Sequence, residues 1–137
     1  MPKKMIQNPT VFLVGDSTVC RFDDENEGYY PRYGYGTQLE RYLNELAKVV
    51  NLALSGRSAK SFLQEENYQR FLNQMQKGDF LIIGFGHNDE KSDPLRYTDP
   101  RFDLADETTF ASHLYRYYIQ PALNAGSIPI LCTPIVR

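Results

Sequence analysis

Residues 11–18 read VFLVGDST, an apolar, β-branched run that stops at Gly15 and presents Ser17. From Thr10 to Val14 the run is too short for a helix and suits a strand buried on both faces. Two later stretches repeat the design. Residues 49–58 read VVNLALSGRS and residues 80–89 read FLIIGFGHND, each an apolar run ending in a Gly-rich polar loop. In an open parallel sheet the loops at the carboxyl ends of the strands lie side by side, and ligands bind along that rim. The pattern therefore predicts that Ser17, Gly56 and Asn88 meet at one site, although they are far apart in the chain.

Outward from these three stretches, the spacing alternates strands with helices. Lys48 to Leu54 is predicted as the second strand and Phe80 to Phe85 as the third, the most apolar and so the most central. Ile128 to Thr133 is predicted as the fourth. Between the first two, Thr37 and Glu40 have capping-box spacing, and Leu39, Tyr42, Leu43 and Leu46 recur at the period of one helix face. A second helix is predicted after Ser61, with Tyr68, Phe71, Leu72 and Met75 inward and Gly78 ending it. A third is predicted from about Glu107, burying Phe110, Leu114, Tyr117 and Tyr118. Pro121 should kink it or restart its last turn, and Gly126 should end it. Residues 87–106 are charged, carry Pro94 and Pro100, and read as a long loop of the kind that forms lids or binding surfaces. Strand–helix alternation implies an α/β fold with a parallel sheet.

Composition narrows the function. At 137 residues the chain is one domain at most, and 42% hydrophobic and 13% aromatic content argue for a packed core against disorder. A net charge of -2 provides no basic footprint, so no nucleic-acid partner is expected. The apolar runs fall well short of the ~20 residues of a membrane helix. The lysine-bearing residues 1–10 lack an apolar h-region. Two cysteines, Cys20 and Cys132, make no framework, and reduced thiols in the cytoplasm are the expectation. No CxxC or HExxH spacing supports a metal, and no cofactor is expected.

The three loops carry the parts of acyl transfer. A serine hydroxyl needs a base to become a nucleophile, and its carbonyl adduct needs donors aimed at the developing oxyanion. Ser17 supplies the hydroxyl and a backbone N–H. Gly56, lacking a Cβ, can bring a second N–H close, and the Asn88 amide is a third donor. Each residue alone has a plainer reading as a turn former; their coincidence at successive strand tips favours the site. Asp16, Arg57 and His87 stand beside these positions as candidate substrate contacts, Arg57 with an internal salt bridge as its competing role.

GDST at residues 15–18, NLALSGRSAKSF at 51–62 and GHND at 86–89 resemble the first three blocks of the SGNH (GDSL-type) hydrolases. GYGTQL at 34–39 and TPIVR at 133–137 resemble the carbohydrate-esterase branch typified by rhamnogalacturonan acetylesterase. The resemblance implies a flavodoxin-like, three-layer αβα fold, with Ser17 as nucleophile and Gly56 and Asn88 completing the oxyanion hole. The implied reaction is removal of acetyl groups from sugar esters, with an acetylated sugar or oligosaccharide as partner. No stretch matches the family's DxxH block, which carries the base and its orienting acid. Two histidines are present: His87 occupies the variable position of its motif, and His113 falls on a predicted helix.

The expectation is therefore an N-terminal portion, residues 1–137, of a single SGNH-hydrolase domain. It should lack the last strand and helix and be inactive alone. The fourth strand would then be an open apolar edge, prone to pairing and covered either by a missing C-terminal segment or in a homo-oligomer. Two other readings compete. One is a non-catalytic carbohydrate-binding or assembly module of the same fold. The other, a nucleotide-binding flavodoxin-like protein, is weakened because GxG at residues 34–36 lacks a third glycine and a preceding strand. Tyrosines at 29, 30, 33 and 35 suit either a sugar shelf or loop packing, and the acidic run 23–27 reads as solvated surface.

Overall fold

The computed structural model describes residues 8–22 and 32–135. The acidic run Asp23, Asp24, Glu25 and Glu27, the tyrosines Tyr29 and Tyr30, and Arg137 lie outside the described residues. Four strands, β1 (Thr10–Gly15), β2 (Lys48–Asn51), β3 (Phe80–Gly84) and β4 (Ile128–Leu131), form one sheet in the order β2-β1-β3-β4. All three pairings are parallel. This is the α/β arrangement that the sequence predicts, with β1 and β3 internal. The chain crosses from one side of β1 to the other between β2 and β3, so the strand order reverses there. Such a reversal opens a crevice at the carboxyl ends of the strands.

Both faces of β1 are buried, which is why its apolar run is continuous rather than alternating. Phe12 and Val14 join Leu81, Ile83 and Phe85 beneath helix α2 (Glu66–Gln74) and the later helices α3 (Phe110–Leu114) and α4 (Gln120–Asn124). An aromatic group of Phe62, Tyr68, Phe71, Phe85 and Tyr118 fills that layer, with ring centroids 5.1–6.4 Å apart. Leu13 faces the opposite side with Val19, Cys20 and Ala53, against the partly buried Leu39 and Val49.

That second layer is thinner than the helical spacing predicts. Helix α1 (Glu40–Leu43) is a single turn between 3-10 turns at Tyr35–Gln38 and Asn44–Leu46. Tyr42 and Leu46, read as its inner face, are 79% and 72% exposed. No capping box forms, because Thr37 lies inside the 3-10 turn and its hydroxyl donates to Gly34 O at 2.8 Å. The backbone here is pinned to the β1 loop. A Cβ on Gly36 would fall 2.6 Å from Val19 O, and one on Gly34 would strike the Val19–Cys20 peptide.

The other helices keep their predicted faces with shifted ends. Tyr68, Phe71 and Met75 are buried and Leu72 is half-buried. Ser61 does not cap α2; it opens a separate 3-10 turn, Ser61–Gln64, and its Oγ accepts from Ser58 N at 2.8 Å. Helix α2 stops at Gln74, and Gly78 (φ 89°) forms the turn that follows. Thr109 caps α3, its Oγ1 accepting from Ser112 N at 3.0 Å. A π turn at Tyr115–Ile119 then links α3 to α4. The wider turn keeps Tyr118 buried while Tyr117 reaches the margin. Pro121 restarts the helix as α4, and Gly126 (φ 77°) ends it.

At β4 the expectation needs one correction. The strand ends at Leu131, so Cys132 is a half-buried residue beyond it and not part of a buried strand. Ile128, Ile130 and Leu131 are exposed, and β4 pairs only with β3 among the described residues.

Candidate active site

The site begins with the turn after β1. Asp16 N donates to Gly84 O at 3.3 Å, and Asp16 O accepts from Val19 N and Cys20 N at 3.0 Å each. The Asp16 carboxylate is 1% exposed and turns back on its own loop, accepting from Thr18 N at 2.9 Å and Thr18 Oγ1 at 2.7 Å. Asp16 therefore holds the turn from below, which is a different task from the substrate contact expected of it. Gly15 allows the close strand approach, since a Cβ there would meet Gly84 O at 2.5 Å. Ser17 sits at the tip of this turn, half-buried. Among the described residues neither its hydroxyl nor its backbone N–H has a hydrogen-bond partner.

The loop after β2 continues the pairing with β1, Leu54 N donating to Gly15 O at 3.0 Å. It then turns at Gly56, whose φ of 79° is left-handed and favours glycine. The Gly56 N–H also has no partner among the described residues. Arg57 is committed locally: Nε pairs with Glu65 at 2.9 Å and Nη1 donates to Ser55 O at 2.8 Å. The competing internal salt bridge is the arrangement the structure contains.

The loop after β3 brings Asn88 to the same place. Its Nδ2 donates to Arg57 O at 3.0 Å, so the buried amide is tied to the residue next to Gly56. One amide hydrogen remains for another acceptor. His87 points elsewhere. Its Nε2 lies 2.6 Å from Ile135 O, and because a carbonyl only accepts, Nε2 carries the proton. His113 Nδ1 likewise donates to Thr109 O at 2.8 Å within α3. Tyr35, one of the tyrosines of the possible sugar shelf, packs its hydroxyl side against Gly84, whereas Tyr33 is exposed.

Asp89 is a functional neighbour that no local spacing reveals. It is 4% exposed, and its carboxylate accepts from Ala59 N at 3.1 and 3.2 Å and from Thr98 Oγ1 at 3.0 Å. Its own carbonyl accepts from Thr98 N at 3.0 Å. The adjacent pair Asn88–Asp89 thus clamps residues 57–59 at two points. The far side of Ala59 is held too, its carbonyl accepting from Tyr118 Oη at 2.7 Å. Burial pushes the Asp89 carboxyl up to about 6, and the nearby Asp16 charge adds to the rise. The bonds from Ala59 and Thr98 oppose it.

The parallel sheet thus carries at its strand tips an unbonded serine after β1, an unbonded Gly56 N–H after β2 and, after β3, an Asn88 amide anchored to the Gly56 loop, in an α/β fold of the flavodoxin-like class. Residues 11–136 match the GDSL-like lipase/acylhydrolase family, and the chain belongs to it. It is 38% identical over 129 residues to a probable rhamnogalacturonan acetylesterase, YesY, of Bacillus subtilis (strain 168), covering 93% of this chain and 54% of that protein. Identity to the rhamnogalacturonan acetylesterase RhgT of the same organism is 35% over 137 residues, covering 100% of this chain and 52% of RhgT. The crystal structure of YxiM from Bacillus subtilis superposes with a TM-score of 0.73 at 26% identity, covering 96% of this chain and 34% of that one. The chain thus spans about half the length of the curated relatives it matches.

Among the described residues no group of three His, Cys, Asp or Glu side chains is placed to hold a metal ion. No helix there is long and apolar enough to cross a membrane.

Proposed function

We propose that the protein is a serine esterase that removes acetyl groups from carbohydrate esters, pectin-derived or related. Ser17 Oγ attacks the acetyl carbonyl carbon, and the backbone N–H groups of Ser17 and Gly56, with the Asn88 amide, receive the negative oxygen. Collapse of the adduct releases the sugar hydroxyl and leaves acetyl-Ser17, which water then cleaves to acetate. The observation that carries this reading is the pair of backbone donors at Ser17 and Gly56, unbonded among the described residues at the tips of the adjacent strands β1 and β2, with a buried Asn88 bracing the second through Arg57 O. Preorganised donors of this kind supply much of the rate of acyl transfer. The acetylesterase names of YesY and RhgT support the substrate class.

The general base is proposed to lie outside the described residues, because His87 and His113 are bonded to Ile135 O and Thr109 O and neither ring is hydrogen-bonded to Ser17. Residues 8–135 alone would then retain the donors but lose most of the rate. The exposed β4 edge supports the related proposal that a further segment or a second copy covers it, since an open apolar edge invites pairing. With Cys20 and Cys132 both free thiols, the proposed compartment is the cytoplasm. Acetate release from an acetylated oligosaccharide tests the reaction: Ser17→Ala should abolish it, and activity that survives the change removes Ser17 as nucleophile.

A further inference from the structure

One side chain outside the reacting groups joins the loops that carry Ser17 and Gly56. Asn51 is the last residue of β2 and is half-buried. Its Nδ2 donates to Val19 O at 2.9 Å, and its Oδ1 accepts from Ala53 N at 3.1 Å. Val19 is two residues beyond Ser17, and Ala53 is three before Gly56. A single amide therefore reaches from the turn that presents the hydroxyl to the loop that presents the Gly56 N–H.

The bond to Ala53 has a local cause. Leu52 N and Leu54 N pair with Leu13 O and Gly15 O of β1, so the Ala53 N–H between them points away from β1. β2 is the end strand of the sheet, and Oδ1 gives that donor an acceptor, as Asx turns do. Ending the strand needs only this oxygen. The Nδ2 bond to Val19 crosses 32 residues and does something else. Together with the Leu54 N bond to Gly15 O at 3.0 Å, it ties the Ser17 turn to the β2 segment on both flanks. A third segment is fitted round this bond. Tyr35 N donates to Thr18 O at 2.8 Å, and a Cβ on Gly36 would lie 2.7 Å from Asn51 Nδ2. An aspartate at 51 would keep the acceptor and lose the donor; the amide supplies both.

We propose that Asn51 is a positioning residue for deacetylation: its amide sets the spacing between the Ser17 turn and the Gly56 N–H, and so the geometry in which nucleophile and oxyanion donor meet. This rests on the reading of Ser17 as nucleophile and Gly56 as donor. Asn51 touches neither group. It acts through Val19 on one and through Ala53 on the other, and Gly36 is small because the bond to Val19 passes beside it.

Steady-state deacetylation by the full-length protein tests it, with an acetylated sugar and p-nitrophenyl acetate as substrates. Asn51→Asp should lower kcat for both about 10²-fold and leave KM within about two-fold, because the misplacement is felt after the ester has bound. Gly36→Ala keeps Asn51 but wedges its bond to Val19, and should lower kcat in the same way. The double variant should lose less than the product of the two single losses, since both act on one bond. Thr109→Ala destabilises the protein at the α3 cap without touching this bond, and should keep kcat within about two-fold. A wild-type kcat in Asn51→Asp, a rise in KM alone, or an equal loss of kcat in Thr109→Ala overturns the positioning role, while wild-type turnover still supports the esterase reading. Should wild type release acetate from no ester, the esterase reading fails and the coupling is read from backbone amide resonances. Asn51→Asp should then shift those of Ser17 and Gly56 together, and resonances left at their wild-type positions overturn it.

Discussion

Asp89 offers the sharpest physical test of how the loops are held. Its carboxyl is raised from 3.8 to about 6 by burial, so the folded chain binds the proton more tightly than the unfolded chain. Stability from this group is then fully present below pH 3.8 and is lost as pH rises through 6. The shift corresponds to about 3 kcal/mol between those limits. Asn resembles the protonated acid in shape and can still accept from Ala59 N. Asp89→Asn should therefore gain about 2 kcal/mol relative to wild type on going from pH 4 to pH 7.5. The assay is urea unfolding of both proteins across that range. The difference between the two curves isolates Asp89. Asp93, held low by its bond from Arg96, and Asp106, held low by Thr108, give slopes of opposite sign in both proteins. A difference that stays constant with pH, or that favours wild type as pH rises, refutes the reasoning.

Other changes probe the same clamp and the chemistry it supports. Asn88→Ala removes a proposed oxyanion donor and should lower kcat about 10²–10³-fold with KM little changed, read from steady-state deacetylation. Tyr118→Phe strips the partner from a buried carbonyl at Ala59 and should cost about 1–3 kcal/mol in denaturant unfolding. Thr109→Ala deletes the α3 cap and should cost about 1 kcal/mol in the same assay.

The sequence is most readable where one residue type decides the outcome over a short distance. VFLVG and FLIIG can only be strands buried on two faces, and they are the two internal strands of the sheet. The inner face of α2 is readable for a similar reason, since Tyr68, Phe71 and Met75 recur at helical period. Residues 37–46 carry an equally good helical period and fold otherwise, because Gly34 and Gly36 dock on the β1 loop and fix the backbone there. The π turn at Tyr115–Ile119 leaves no mark in a 3.6-residue pattern, and it decides which of Tyr117 and Tyr118 is buried. At the site, Gly and Asn at the strand tips mark the loops. The ties between loops, Asp89 to Ala59 across 30 residues and Tyr118 to Ala59 across 59, belong to tertiary packing that no local rule encodes.

The central claim concerns one oxygen atom, Ser17 Oγ, and the most direct measurement catches it acylated. Rapid acid quench of full-length protein turning over an activated acetyl ester, followed by peptide mass spectrometry, should find the acetyl group on Ser17. Prompt release of the leaving group should match it in amount, and Ser17→Ala should show neither signal. Steady acetate production with Ser17 never modified, or an acetyl group consistently on another residue, would contradict the account.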